Sequence, residues 1–90
     1  MLIWPDKDPD DVQDYGIEWA SELSDGDAIA TSEWIAPADI QTSRDSIDGT
    51  LVKVWLSGGV DRHAYRITNR ITTTAGRQLD RSVRIVVAEQ

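Results

Sequence analysis

Hydrophobic and polar residues alternate with a period of two through much of the second half of the chain. The alternation runs through three segments, 51–57, 64–73 and 79–88, which are separated by breaks at Ser57-Gly58-Gly59 and Ala75-Gly76-Arg77. Successive side chains of a strand point to opposite faces, so each segment has one apolar face and one wetter face. Short strands joined by glycine-containing breaks are typical of hairpins, and Gly76 is expected at positive φ in the last turn.

The first half adds further strands with the same alternation, each bounded by proline, glycine or aspartate. Seven strands are predicted in all: 2–4, 12–20, 28–35, 40–47, 51–57, 64–73 and 79–88. The polar segment 40–47 is interpreted as a short edge strand, since brief, charged strands protect sheet edges. No heptad or 3.6-residue pattern appears, so at most one helical turn is expected. The spacing predicts an all-β fold, a single antiparallel β-sandwich of the immunoglobulin or fibronectin-III kind.

The same alternation predicts which side chains fill the sandwich. Trp19 is the expected centre of the core, because a tryptophan on an early strand commonly fills the space between two sheets. Tyr65 stands near the start of a strand after a corner, where its hydroxyl is expected to bond back to the backbone as in a tyrosine corner. The predicted core consists of Tyr15, Ile17, Trp19, Val54, Tyr65, Ile67, Val83 and Ile85.

Length and composition narrow the class of protein. Ninety residues suit one domain, which we place at residues 12–90 after an extended acidic arm at 1–11. The chain has no cysteine and one histidine, so neither a disulfide framework nor a zinc site is expected. It has no apolar run of membrane-spanning length, and its start lacks the basic and apolar regions of a secretory signal. A soluble protein is expected, with no membrane partner.

The net charge of −7 is unevenly distributed. Residues 1–48 hold thirteen acids against Lys7 and Arg44, a balance of −11, whereas residues 49–90 carry +4. Such asymmetry fits either a solvated surface or a molecule that docks by opposite poles on copies of itself or on neighbours. A strongly acidic balance disfavours binding to nucleic acid.

No motif in the chain predicts catalysis. His63 is the only candidate general base, and it lies in a loop where solvent exposure is expected. The alternate aspartates Asp6, Asp8 and Asp10 invite a test for calcium, but an EF-hand loop requires Gly and Glu where this chain has Asp11 and Ile17. A looser cation site in the arm stays open. We expect no enzymatic activity and no cofactor.

Arginine and tryptophan supply the candidate binding residues. Six arginines against one lysine in residues 49–90 favour directed bonding, since a guanidinium makes planar, bidentate contacts with carboxylates. They form either a network within one molecule or a seam between molecules. Trp4 is either part of the first edge strand or an anchor inserted into a neighbour. The predicted protein interface comprises Trp4, Trp55, Arg62, Arg66, Arg70 and Arg77.

Nearly the whole chain resembles a known group of proteins. The resemblance rests on Trp4-Pro5-Asp6-Lys7-Asp8-Pro9-Asp10-Asp11-Val12, Asp14-Tyr15 leading to Trp19, Gly26-Asp27 with Trp34, Val54-Trp55-Leu56-Ser57-Gly58-Gly59, Tyr65, and Thr68-Asn69-Arg70-Ile71-Thr72-Thr73 to Gly76-Arg77. In these stretches the chain is similar to small virion proteins of tailed phages and prophages, often labelled fiber-tail adaptors. The resemblance implies an immunoglobulin-like sandwich, several copies per particle and no catalytic residues.

The resemblance sets the expected function. We expect a structural component of a virion, made in the bacterial host cytoplasm. Its expected role is that of a multi-copy adaptor at the tail or neck, attaching fibers or stabilising neighbouring virion proteins. Its partners would be tail, fiber or capsid proteins and copies of itself. One alternative is a decoration protein on the phage head. Another, of a different class, is a free-standing carbohydrate- or peptide-binding module using Trp34, Trp55 and Tyr65.

Overall fold

The computed structural model describes residues 2–89. Within them the chain forms seven strands and one short 3-10 turn, at Ala20–Glu22. The strands are β1 (Leu2–Ile3), β2 (Gln13–Glu18), β3 (Ile29–Ile35), β4 (Ile40–Asp48), β5 (Leu51–Gly58), β6 (His63–Thr73) and β7 (Gln78–Val87). All seven coincide with predicted strands, most of them within one or two residues at each end.

The strands form two sheets, which confirms the predicted β-sandwich. One sheet has four strands in the order β1-β7-β6-β3, and the other has three in the order β2-β5-β4. In immunoglobulin-like domains the second, fifth and fourth strands share one sheet, and the third, sixth and seventh share the other. This chain follows that arrangement, with β1 added to the larger sheet beside β7. The β1–β7 pair is parallel, whereas the other ladders are antiparallel.

The core lies between the two sheets and is built from their inward-facing residues. Seven of the eight predicted core residues lie in it; the eighth, Tyr15, is half-buried and packs against it. Trp19 is buried near the end of β2, where its indole Nε1 donates to Asn69 Oδ1 at 2.9 Å. Arg81 covers this end of the core, with its guanidinium carbon 4.6 Å from the centre of the Trp19 ring. Trp19 is therefore held by a hydrogen bond and a cation–π contact in addition to apolar packing.

The described part of the arm, residues 2–11, lies against the sandwich. Trp4 is only 8% exposed, and its ring stacks on Tyr15 with centroids 4.7 Å apart. This placement corrects the alternative in which Trp4 is inserted into a neighbour, because its ring is already packed in the core. Met1 and Gln90, which bound the predicted arm and domain, lie outside the described residues, and the division between residues 11 and 12 stays a prediction.

Lys7 fastens the arm to the sandwich. Its side chain is 0% exposed, and its Nζ donates to the carbonyl oxygens of Gly58 at 2.7 Å and Asp8 at 2.8 Å. Its backbone donates to Val86 and accepts from Ala88, which extends the pairing of the arm along β7. Burial lowers the pKa of the Lys7 ammonium, while the carboxylates of Asp11, Asp8 and Asp10 act in the opposite direction.

The β4 strand lies at a sheet edge as expected, but it is not short. It has nine residues, of which only Ile40 is buried, and its pairing with β5 is interrupted by a bulge between Ser43 and Ser46. Arg44 occupies the bulge with a φ of 49° and places its guanidinium carbon 4.4 Å from the centre of the Trp55 ring. The bulge and the charged residues of β4 thus protect this edge. The sequence had suggested that a short strand length would protect it.

A glycine turn and Tyr65 define the corner between β5 and β6. Gly59 has a φ of 96°, and a Cβ at this position would lie 2.6 Å from Val87 Cγ2, so the turn requires glycine on both counts. The Tyr65 hydroxyl accepts a hydrogen bond from the backbone N–H of Val60 at 2.8 Å and donates to Asp39 Oδ2 at 3.3 Å. The tyrosine corner is therefore confirmed. Gly76 has a φ of 90° at the last hairpin, also as predicted.

Candidate protein interface

The β6–β7 ladder determines where the arginines lie. Its register sets Arg66 directly opposite Arg84, and Arg70 directly opposite Asp80. The buried residues Tyr65, Ile67 and Ile85 alternate with these positions. Arg66, Arg70 and Arg84 consequently share the outward face of the four-stranded sheet.

Arg70 is satisfied within the molecule. Its Nε and Nη2 donate to the two carboxylate oxygens of Asp80 at 2.9 and 3.0 Å, which is a bidentate pair. The hydrogen bonds and charge of Asp80 raise the pKa of Arg70, and the hydrogen bonds from Arg70 lower the pKa of Asp80. For Arg70, the network within one molecule is the arrangement that the structure shows.

Arg66 and Arg84 have no such partner. Both are exposed, and neither forms an ion pair with any of residues 2–89. Like charges directly opposite each other destabilise a strand pair, so this arrangement contributes nothing favourable to the isolated fold. Arg66 was among the predicted interface residues, whereas Arg84 was not. The β6–β7 register, which sequence alone could not fix, makes them a pair.

Apolar side chains adjoin this arginine pair. Ala64 and Val86 are opposite each other one step along the same face, and Ile3 of β1 is aligned with Arg84. Ile3 is 70% exposed, and a shallow depression of about 240 Å³ lies beside Ala64, Arg66 and Arg84. We call Ile3, Ala64, Arg66, Arg84 and Val86 the arginine face. Exposed apolar area around unpaired guanidinium groups is typical of protein-binding surfaces.

The other predicted interface residues do not join the arginine face. Arg62 lies in the loop before β6, 3.9 Å from Asp61, with 90% of its side chain exposed. Arg77 lies at the β6–β7 turn and donates to the Glu22 carbonyl and to Ser24 Oγ, both at 3.4 Å. Trp55 is half-buried beneath Arg44 on the outward face of the smaller sheet. The structure therefore disperses the predicted interface over several surfaces.

A second charged surface lies between the arm and β2. Here a groove of about 470 Å³ is lined by the carboxylates of Asp6, Asp11 and Asp14 and by the rings of Trp4 and Tyr15. Burial, followed by the charges of Asp11, Asp14 and Asp6, raises the pKa of the Tyr15 hydroxyl. We call the three aspartates and two rings the acidic groove.

The aromatic residues proposed for a ligand-binding module do not form one exposed platform. Tyr65 is buried, Trp34 is half-buried with its ring 6.0 Å from that of Trp4, and Trp55 lies beneath Arg44. His63 is exposed, and its Nδ1 lies 3.0 Å from the Asp61 carbonyl oxygen. Within residues 2–89, no three histidine, cysteine, aspartate or glutamate side chains are grouped so as to hold a metal ion. No helix in the described chain is long and apolar enough to cross a membrane.

These features define the chain as a small immunoglobulin-like β-sandwich with an arginine face that has no ion-pair partner among residues 2–89. Residues 7–86 match the family described as podophage GP4 fiber-tail adaptor protein gp77. The chain belongs to that family, as its resemblance to phage fiber-tail adaptors suggested. No curated protein matches the chain.

Proposed function

We propose that the chain is a non-enzymatic adaptor of a tailed-phage virion, present in several copies at the tail or neck, where it attaches fibers or stabilises neighbouring virion proteins. Membership of the fiber-tail adaptor family supports a structural role in the tail. The observation that carries the proposal further is the exposed Arg66–Arg84 pair, which has no carboxylate partner among residues 2–89.

The arginine face suits a docking role for a physical reason. A neighbour that brings a carboxylate between the two guanidinium groups would relieve their mutual repulsion and form charge-assisted hydrogen bonds. The same partner would also bury exposed apolar surface of Ile3, Ala64 and Val86, which favours binding. Both gains require a second protein, because no carboxylate of this chain reaches Arg66 or Arg84 within the described residues.

Reversing the charge of the arginine face tests this function. In particles assembled with the variant as the sole copy, Arg66→Glu/Arg84→Glu is expected to lower incorporation about 10-fold or more, since breaking a desolvated charge pair weakens binding by at least about 1.4 kcal/mol. Incorporation is measured by quantitative mass spectrometry of purified particles, relative to the major capsid protein. Circular dichroism of the isolated variant should show an intact fold.

The matched control is Arg62→Glu/Arg77→Glu, which changes the net charge by the same amount outside the arginine face. This control is expected to incorporate at the wild-type level. Wild-type occupancy of Arg66→Glu/Arg84→Glu, or an equal loss in the control, would contradict docking through the arginine face.

A further inference from the structure

The two charged surfaces of this chain point in different directions. Arg66 and Arg84 project outward from the four-stranded sheet, because they alternate with buried residues of β6 and β7. Asp14 projects outward from the three-stranded sheet, because it alternates with the inward-facing Tyr15 and Ile17 of β2. The two surfaces therefore cannot neutralise each other within one molecule.

We propose that the arginine face binds the acidic groove of a second copy of this chain, head to tail. This inference rests on the proposed function and names one of the neighbours that the adaptor contacts. Charge complementarity favours a second copy of the chain as the partner. One surface presents two guanidinium groups, and the other presents the carboxylates of Asp6, Asp11 and Asp14; none of these groups forms an ion pair with any of residues 2–89.

The groove has the chemistry that a guanidinium requires. Its carboxylates can accept bidentate hydrogen bonds, and the rim of the half-buried Tyr15 ring offers a surface against which the planar group packs. Lys7, the basic residue of the arm, is buried and directs its ammonium to the carbonyl oxygens of Gly58 and Asp8. Lys53 is opposite Gly16 at the edge of the groove, but no ion pair within residues 2–89 includes a groove carboxylate. The groove carboxylates are thus available to a cation from outside the molecule.

This pairing has a consequence for assembly. The contact is heterologous, because a face of one copy meets a different face of the next. Each added copy leaves one arginine face and one acidic groove free, so association continues until a ring closes or a filament forms. A closed ring would provide the several copies that the adaptor role proposes.

Charge-swapped variants test the pairing in solution. At an ionic strength of about 0.01 M, the wild-type weight-average mass in sedimentation velocity is expected to rise with protein concentration, and to rise less at about 0.15 M, where surface charges are screened. Arg66→Glu/Arg84→Glu and Asp6→Lys/Asp14→Lys should each stay monomeric alone. Their mixture should associate again, because each reversed surface now meets its complement. Arg62→Glu/Arg77→Glu should associate as the wild type does.

Three results would overturn the pairing of the arginine face with the acidic groove. The first is a wild-type chain that stays monomeric up to about 1 mM, which corresponds to a binding free energy weaker than about −4.1 kcal/mol. The others are association that survives Arg66→Glu/Arg84→Glu and a mixture of the two charge-reversed variants that does not associate. Particle incorporation separates this inference from the proposed function. If the wild type is monomeric in solution but Arg66→Glu/Arg84→Glu is still lost from particles, the arginine face binds a different virion protein. If the wild type associates in a salt-sensitive way but Arg66→Glu/Arg84→Glu is incorporated into particles at the wild-type level, only the docking role in the particle is contradicted.

Discussion

Replacing Asn69 by aspartate is expected to destabilise the fold by about 3–5 kcal/mol at neutral pH, the magnitude typical of an uncompensated buried charge. Asn69 is fully buried on β6 and joins the two sheets. Its Oδ1 accepts from Trp19 Nε1 at 2.9 Å, and its Nδ2 donates to Ser32 Oγ at 2.8 Å and to the Glu33 carbonyl at 3.2 Å. A carboxylate would keep the first bond, lose the donor to Glu33 and bury a charge whose nearest strand partner, Arg81, is already paired with Glu22.

The loss of stability in Asn69→Asp should depend on pH with a definite sign. Burial raises the folded-state pKa of the new carboxyl above its unfolded value of about 3.9, and the opposing effect of Arg81, which is opposite position 69, is reduced because its guanidinium is already paired with Glu22. The contribution of such a group is fully present below the unfolded pKa and is lost as pH rises through the folded pKa. The gap between variant and wild type should therefore narrow as pH falls from 7 towards about 4. Urea denaturation followed by circular dichroism measures it.

Trp19→Phe provides the control for this prediction. It removes the indole donor but keeps an aromatic ring, and it leaves Asn69 Oδ1 without that partner. The double variant Trp19→Phe/Asn69→Leu should be less destabilised than the sum of its single variants, because the two residues interact directly. A pH-independent loss in Asn69→Asp would contradict a buried, ionised carboxyl at this position. Strict additivity in the double variant would show that the Trp19–Asn69 bond does not hold the sheets together.

Replacing Lys7 by methionine is expected to lower the free energy of unfolding by about 1–3 kcal/mol, since it removes two partly buried hydrogen bonds from a charged donor. Methionine preserves much of the buried apolar stem but cannot donate to the Gly58 and Asp8 carbonyl oxygens. Lys7→Glu should have a larger effect, because it places a carboxylate beside those oxygens and close to Asp11, Asp8 and Asp10. In both variants the arm is expected to loosen from β7.

Lys53→Met is the matched control, since Lys53 is exposed on the outward face of β5 and should change stability by less than about 0.5 kcal/mol. Hydrogen exchange shows where each substitution acts. In Lys7→Met the amides of Trp4, Lys7 and Ala88, which join the arm to β7, should lose protection first. Unchanged protection of these amides together with wild-type stability would mean that Lys7 does not fasten the arm.

The strands were predictable from sequence because their side chains alternate between core and solvent. That signal is strong in β5, β6 and β7, where buried side chains such as Val54, Ile67 and Ile85 alternate with more exposed ones. The tyrosine corner was predictable for a related reason, since Tyr65 opens a strand directly after a glycine turn. The edge position of β4 followed from its polarity, although its length did not.

Contacts set by register or by long-range folding were not predictable. Whether Arg84 is opposite Arg66 or Arg70 depends on the pairing set by the β6–β7 turn, and a register shift of four residues separates the two arrangements. From the sequence, Lys7 is expected to lie in a solvated acidic loop, because no neighbouring residue indicates that its ammonium reaches Gly58, 51 residues away. Trp4 is buried for the same reason, through stacking on a residue of another strand.

The proposed role as a multi-copy adaptor of the virion tail is tested most directly by the copy number of the chain per particle. Quantitative mass spectrometry of purified virions measures this number against the major capsid protein. A number suited to a ring, about a dozen copies or fewer, is expected. Hundreds of copies would contradict the tail location and indicate decoration of the head, and absence from particles would contradict a virion role altogether.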